Sequence, residues 1–79
     1  MKRKIWEILN AINPKIEEDM EEDLLKAGLI DSFQIVNIVA ELENEFEIEF
    51  DPELIISDNF NTIDSITKVI EKIINEEAG

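Results

Sequence analysis

Isoleucine, leucine and valine recur at intervals of three and four residues in three segments of the chain, and this spacing is the strongest constraint on its fold. Such spacing places apolar side chains on one face of a helix, so residues 2–12, residues 32–46 and a segment that begins near Thr62 are predicted helices. With only 2 glycines and 2 prolines, the chain has few turn-forming residues, which favours helices over many short strands. The predicted buried faces consist of Ile5, Ile8, Leu9 and Ile12; of Val36, Val39, Leu42 and Phe46, flanked by Ile35 and Ile38; and of Ile63, Ile66, Val69, Ile70 and Ile73.

The first helix should end at Asn13, because a residue that precedes proline avoids the helical conformation. Residues 15–30 then form a long connection, which is mostly acidic over residues 17–23 and is therefore expected to be exposed. Leu24 and Leu25 lie on a predicted single turn, and Gly28 is placed to take a positive φ angle and turn the chain.

A second irregular connection follows the central helix. Over residues 45–50, apolar side chains alternate with glutamates, which predicts an extended segment with its apolar side chains in the core. Asp51-Pro52-Glu53 has the pattern of a helix start, so a short helix through Ile56 is predicted, ending at Ser57-Asp58-Asn59. We therefore predict one all-α domain over residues 1–79, a small antiparallel four-helix bundle with three long helices, one short helix and a long first loop.

The charge of the chain excludes several classes of partner. Seven basic and twenty acidic residues give 7 − 20 = −13, and no lysine or arginine occurs between Ala27 and Thr67. Phosphate contacts need lysine and arginine, so nucleic acid and anionic membrane surfaces are not expected partners. No apolar run approaches the roughly 20 residues that span a bilayer. We expect a cytoplasmic monomer without membrane insertion.

Enzyme chemistry is difficult to build from these residues. The chain has no cysteine and no histidine, which removes thiol catalysis and the usual general base near neutral pH. The acidic segment Glu17-Glu18-Asp19-Met20-Glu21 lacks the central glycine of a calcium-binding loop, so no metal site is expected. We predict that the protein is not an enzyme and that it has no catalytic residues.

Ser32 is the candidate functional residue, because it stands at the start of the central helix. Asp31 is a suitable N-cap, and Gln34 completes a capping-box pattern. The free N–H groups and the positive dipole end of a helix N-terminus stabilise a phosphate, so Ser32 is well placed to carry a phosphodiester. From these residues alone, a purely structural cap is the simpler alternative.

The segment Gly28-Leu29-Ile30-Asp31-Ser32-Phe33 resembles the attachment motif of acyl, peptidyl and D-alanyl carrier proteins. The resemblance extends beyond this segment over nearly the whole domain, and it is carried by Val36, Val39, Leu42, Glu43, Phe46, Ile48, Asp51-Pro52, Phe60 and the helix that contains Ile63 to Ile73. It implies that a phosphopantetheinyl transferase attaches 4′-phosphopantetheine from coenzyme A to Ser32, and that the arm then holds an acyl or aminoacyl group as a thioester. It further implies that Asp31 lies beside the metal used by the transferase, and that Phe33 packs near the root of the arm.

The same resemblance implies partners: the transferase, an acyl- or aminoacyl-loading ligase and acyl-transferring enzymes. The expected docking face lies on the central helix and comprises Gln34, Ile35, Asn37, Ile38, Glu41 and Asn44. Gln34, Asn37 and Asn44 stand where carriers of fatty-acid biosynthesis are often acidic, and Glu47 stands where many carriers have glycine. The sequence therefore looks closer to D-alanyl carriers and to stand-alone specialised carriers, while fatty-acid synthesis remains open. The alternative from another class is an acidic helical protein-interaction module without a prosthetic group.

Overall fold

Four α-helices form the fold: α1 (Lys2–Ile12), α2 (Ser32–Phe46), α3 (Ser57–Phe60) and α4 (Ile63–Ala78). This is a computed structural model, and it describes residues 1–78, so the last residue of the predicted domain, Gly79, lies outside the described residues. The prediction of an all-helical fold is confirmed, and no strand occurs among residues 1–78. Within this range, no helix is long and apolar enough to cross a membrane. The antiparallel directions of the helices stay a prediction.

The core lies where α1 packs against both α2 and α4, and where α3 packs against α4. The stripes predicted for α1 and α4 face it, since Ile5, Leu9, Ile66 and Ile70 are fully buried. Burying apolar area of this kind is the main force that holds a small domain together. The two connections add further buried side chains, namely Ile16, Leu24, Ile30, Ile48 and Phe50.

The buried face of α2 differs from the predicted one. Ile35 and Ile38, expected at the flanks and on the docking face, are 7% and 0% exposed, whereas Val36, expected in the core, is 66% exposed. The residues of α2 that face the core are spaced three and four positions apart, as on any helix face, and they are Ile35, Ile38, Val39 and Leu42. Val36 follows Ile35 by one residue, or about 100° around the helix, and therefore points outward. The apolar arc of this sequence was wide enough to allow either rotation.

The connection between α2 and α3 confirms one prediction and corrects another. Ile48 and Phe50 are buried as expected, and the ring of Phe50 lies 5.7 Å from that of Phe60. The predicted short helix through Ile56 is wrong, because only Pro52–Leu54 forms a single 3₁₀ turn. The helix begins instead at Ser57, where a break was predicted, and this brings Phe60 into the core with no exposed surface.

Candidate functional site

Ser32 is the first residue of α2, and its side chain is exposed. The capping box predicted around it is present. The Asp31 carboxylate accepts a hydrogen bond from the backbone N–H of Gln34 at 2.8 Å, and the Gln34 side-chain oxygen accepts one from the backbone N–H of Asp31 at 3.0 Å. Asp31 therefore supplies the cap, which leaves the Ser32 hydroxyl free of that structural task.

The first turn of α2 offers an electropositive position beside Ser32. The backbone N–H groups of Ser32 and Phe33 donate no hydrogen bond to an acceptor among residues 1–78, as is usual for the first turn of a helix. The aligned peptide dipoles of a helix add partial positive charge at this end. The nearest basic residue in the sequence, Lys26, lies six positions before Ser32, and the backbone N–H groups of the first turn supply positive potential directly beside an anionic group on Ser32.

A tight turn leads the chain into this site. Gly28 has φ +74°, a left-handed conformation that glycine adopts without the steric cost of a side chain. The backbone N–H groups of Leu29 and Ile30 both donate to the carbonyl of Leu24, at 2.9 and 3.3 Å. Of the two residues before Ser32, Ile30 is buried in the core and Asp31 caps α2. This confirms the turn predicted at Gly28.

Two asparagines hold this turn against the helices on either side, and neither was predicted from the sequence. The Asn13 side-chain amide, at the end of α1, donates to the carbonyl of Leu29 at 3.0 Å. On the other side, the carbonyl of Asn61, between α3 and α4, accepts from the backbone N–H of Leu24 at 2.6 Å. Both contacts join residues far apart in sequence, and periodicity carries no information about such pairs.

An exposed stripe on α2 runs away from Ser32. It begins with apolar side chains, Phe33 and Val36, which are 82% and 66% exposed, and continues into polar and acidic ones. Of the predicted docking residues, the structure places Asn37, Glu41 and Asn44 on this stripe, but Gln34 is half-buried in the cap and Ile35 and Ile38 are in the core. We call this surface the α2 stripe: Phe33, Val36, Asn37, Ala40, Glu41 and Asn44.

Comparison with known proteins gives consistent matches. The family described as phosphopantetheine attachment site matches residues 4–70. A D-alanyl carrier protein of Streptococcus mutans is 36% identical over 73 residues, which cover 87% of this chain and 92% of the relative. Those of Leuconostoc citreum and Lactococcus lactis subsp. cremoris are 31% and 28% identical, over 94% and 96% of this chain and 96% and 99% of the relatives. Comparison with solved structures finds no match.

Proposed function

The chain belongs to the family of proteins with a phosphopantetheine attachment site, and we propose that Ser32 is its point of attachment. As a member of this family, it is a carrier protein whose cofactor is covalently bound 4′-phosphopantetheine. Carriers of this family work with transferase and ligase enzymes and are not themselves catalysts. The proposal adds which residue of this chain takes the group and how the surrounding residues contribute.

The observation that carries the proposal is the exposed Ser32 hydroxyl at the electropositive start of α2. In loading, the Ser32 oxygen attacks the phosphorus of coenzyme A that bears the pantetheine. A new phosphorus–oxygen bond forms, the pyrophosphate bond breaks, adenosine bisphosphate leaves, and the transferase accepts the serine proton. The phosphodiester product keeps a negative charge, which the free N–H groups of the first helical turn stabilise.

Asp31 fits a double role in this proposal. One carboxylate oxygen is held by the Gln34 N–H and fixes the cap. The other has no hydrogen-bond partner within the described part of the chain, so it is available to the divalent cation that the transferase brings. The capping box thus holds the Asp31 carboxylate in one orientation beside the reacting hydroxyl.

The test is a loading reaction followed by intact-mass measurement. The wild-type chain, incubated with coenzyme A and a promiscuous phosphopantetheinyl transferase, should gain the mass of one phosphopantetheine, and Ser32→Ala should gain none. Ser57→Ala is the matched control, because Ser57 is also exposed and is also the first residue of a helix. No mass gain in the wild type would refute the proposal and favour an interaction module without a prosthetic group. An equal gain in Ser32→Ala would also refute it, because the group would then be attached to another residue.

We further propose that partner enzymes dock on the α2 stripe. Its apolar end, Phe33 and Val36, lies next to Ser32 and is suited to apolar contact with an enzyme that must reach the arm. Its far end, with Glu41 and Asn44, is suited to polar contacts that fix orientation. This revises the predicted face: Asn37, Glu41 and Asn44 are kept, and Gln34, Ile35 and Ile38 are replaced by Phe33, Val36 and Ala40.

For the cargo, we propose a D-alanyl group. The relatives from Lactococcus lactis, Leuconostoc citreum and Streptococcus mutans are all named D-alanyl carrier proteins. A small cargo of this kind needs no cavity between the helices, and the rings of Phe50 and Phe60 pack 5.7 Å apart within the core. When the phosphopantetheine-loaded protein is incubated with D-alanine, ATP and the ligase that loads a D-alanyl carrier protein of Lactococcus or Streptococcus, it should gain D-alanine as a thioester. Loading of a fatty acid by an acyl ligase, with no D-alanine transfer, would contradict this assignment.

A further inference from the structure

The side-chain amide of Asn13 contacts the backbone three residues before Ser32. Its Nδ2 atom donates to the carbonyl of Leu29 at 3.0 Å across 16 positions of sequence. Its Oδ1 atom accepts from the backbone N–H of Lys15 at 3.0 Å, and its own backbone closes the last turn of α1 on Leu9. Both ends of this side chain are therefore held, so its orientation is fixed by bonds to two segments.

The hydrogen bond from Asn13 to the Leu29 carbonyl lies just before the residues that lead the chain into Ser32. Leu29 follows the left-handed Gly28 and precedes Ile30, which is buried, and Asp31, which caps α2. The Leu24 carbonyl holds the N–H of Leu29 from one side, and Asn13 holds its carbonyl from the other. With both of its polar backbone groups held, Leu29 has little freedom to rotate, and the segment that follows it shares this constraint.

Two side chains of α1 donate hydrogen bonds to a different part of the same connection. Trp6 Nε1 and Asn10 Nδ2 both donate to the carbonyl of Ile16, at 2.9 and 3.0 Å, close to where the chain leaves α1. These bonds contribute to stability, as the Asn13 bond does, but they lie far along the chain from Ser32. The Asn10 bond therefore serves as a control, because it stabilises the connection but does not fix the backbone next to Ser32.

We infer that Asn13 is a positioning residue for the loading of Ser32: it fixes the segment Leu29–Asp31 and thereby the approach of the serine hydroxyl. The inference rests on the proposed function of Ser32. Displacement of a nucleophile by about 1 Å can lower the rate of its reaction by up to about 100-fold. One hydrogen bond that fixes the backbone at this position can therefore change the rate of loading. Asn13 itself touches neither coenzyme A nor the reacting oxygen and acts only through the backbone.

Asn13→Asp is the informative variant, because it keeps the acceptor for Lys15 and replaces only the donor that faces Leu29. Asn10→Asp is its matched control: the same chemical change, with the same added charge, near the same end of α1. Asn13→Ser and Asn10→Ser repeat the comparison without a charge change, should either aspartate variant fold poorly.

The readouts separate positioning from stability. The carrier is the substrate of the transferase, so partial unfolding lowers its effective concentration and raises KM, whereas a misplaced hydroxyl in a docked carrier lowers kcat. We expect Asn13→Asp to lower kcat by about tenfold with KM within about twofold, and Asn10→Asp to leave kcat within about twofold. In hydrogen exchange, the amides of Leu29 and Ile30 should exchange faster in Asn13→Asp and not in Asn10→Asp.

Unchanged kcat in Asn13→Asp, an equal loss in both variants, or a loss confined to KM would overturn the inference. The exchange measurement needs no transferase. If the wild type does not load, the proposed function fails, while faster exchange in Asn13→Asp alone still shows that the amide fixes the segment. Equal exchange in wild type and Asn13→Asp would overturn the positioning role whatever the loading result.

Discussion

The two irregular connections of this protein, residues 13–31 before α2 and residues 47–56 before α3, are held in different ways. The first connection buries Ile16, Leu24 and Ile30. Its backbone is bound by side chains of α1, by the side chain of Asn13 at its own start and by the carbonyl of Asn61. The second buries Ile48 and Phe50 at its start but leaves Ile55 and Ile56 38% and 51% exposed at its end. The first connection, which leads to Ser32, is thus held by buried side chains and hydrogen bonds along its length, whereas the end of the second, which leads to α3, is more exposed.

The difference has a physical consequence. A connection without helical hydrogen bonds is ordered only as far as buried side chains and long-range bonds hold it. In the first connection, these anchors continue up to Asp31, the residue before the candidate attachment point. In the second, the anchors are local: Glu43 accepts from the backbone N–H of Phe50 at 2.9 Å, and Asn59 donates to the carbonyl of Leu54 at 2.8 Å.

The largest expected effect comes from removing a buried anchor of the first connection. Ile16→Ala should lower the free energy of unfolding by about 3 kcal/mol, because Ile16 is fully buried and a cavity replaces its side chain. Ile56→Ala, the same change at an exposed position of the second connection, should cost less than about 0.5 kcal/mol. Urea unfolding measures both, and Ile16→Val, expected to cost about 1 kcal/mol, serves if the alanine variant does not fold. Similar losses at the two positions would show that the connections are equally packed.

A smaller effect is expected at the two left-handed residues, one in each connection. Glu47 has φ 53° at the end of α2, so Glu47→Gly should stabilise the protein by about 0.5–1 kcal/mol by removing a strained conformation. Gly28→Ala should destabilise it by about 1 kcal/mol, since nothing lies within 4 Å of the added carbon and only the backbone conformation opposes it. Thermal unfolding of the two variants should therefore shift in opposite directions. A loss of stability in Glu47→Gly would mean that the Glu47 side chain makes a compensating contact.

The smallest effect should come from the ion pair between Lys2 and Asp64, which lies outside both connections and serves as a baseline. The hydrogen bond and charge of Lys2 lower the pKa of Asp64, and those of Asp64 raise the pKa of Lys2. The stabilisation is thus present near neutral pH. It should be lost as the pH falls through the lowered pKa of Asp64, below the usual value of about 3.9, and at the alkaline end as the pH rises through the raised pKa of Lys2.

Thermal unfolding of wild type and Asp64→Asn across pH measures this contribution. The two proteins should differ slightly near neutral pH and converge once the pH has fallen below the lowered pKa of Asp64, and added salt should reduce the difference because both side chains are exposed. A difference that persists unchanged at strongly acidic pH would assign it to some contact other than the ion pair.

Helix bounds, helix caps and tight turns were predicted correctly where they depend on residues close together in the sequence. The bounds of α1 and α2, the capping box at Asp31 and the turn at Gly28 follow from residues within a few positions of one another. The Thr62 hydroxyl likewise accepts from the backbone N–H of Ser65 at 3.0 Å at the start of α4, as its cap position predicts.

The rotation of α2 and the start of α3 could not be predicted in the same way. Val36 and Ile35 are equally apolar, and only packing against α1 decides which of them is buried. Ser57 looks like a helix breaker, but the need to bury Phe60 overrides that preference. The bonds of Asn13 and Asn61 also join distant segments, so neither residue carried a signal in the sequence.

The central claim is that Ser32, and no other serine, carries the phosphopantetheine, and one digest tests it directly. Because no lysine or arginine occurs between Ala27 and Thr67, trypsin should release residues 27–68 as one peptide containing Ser32, Ser57 and Ser65. Fragmentation of this peptide from the loaded wild-type protein should place the added mass on Ser32, at the fixed and electropositive start of α2. The same mass on Ser57 or Ser65 would contradict the account.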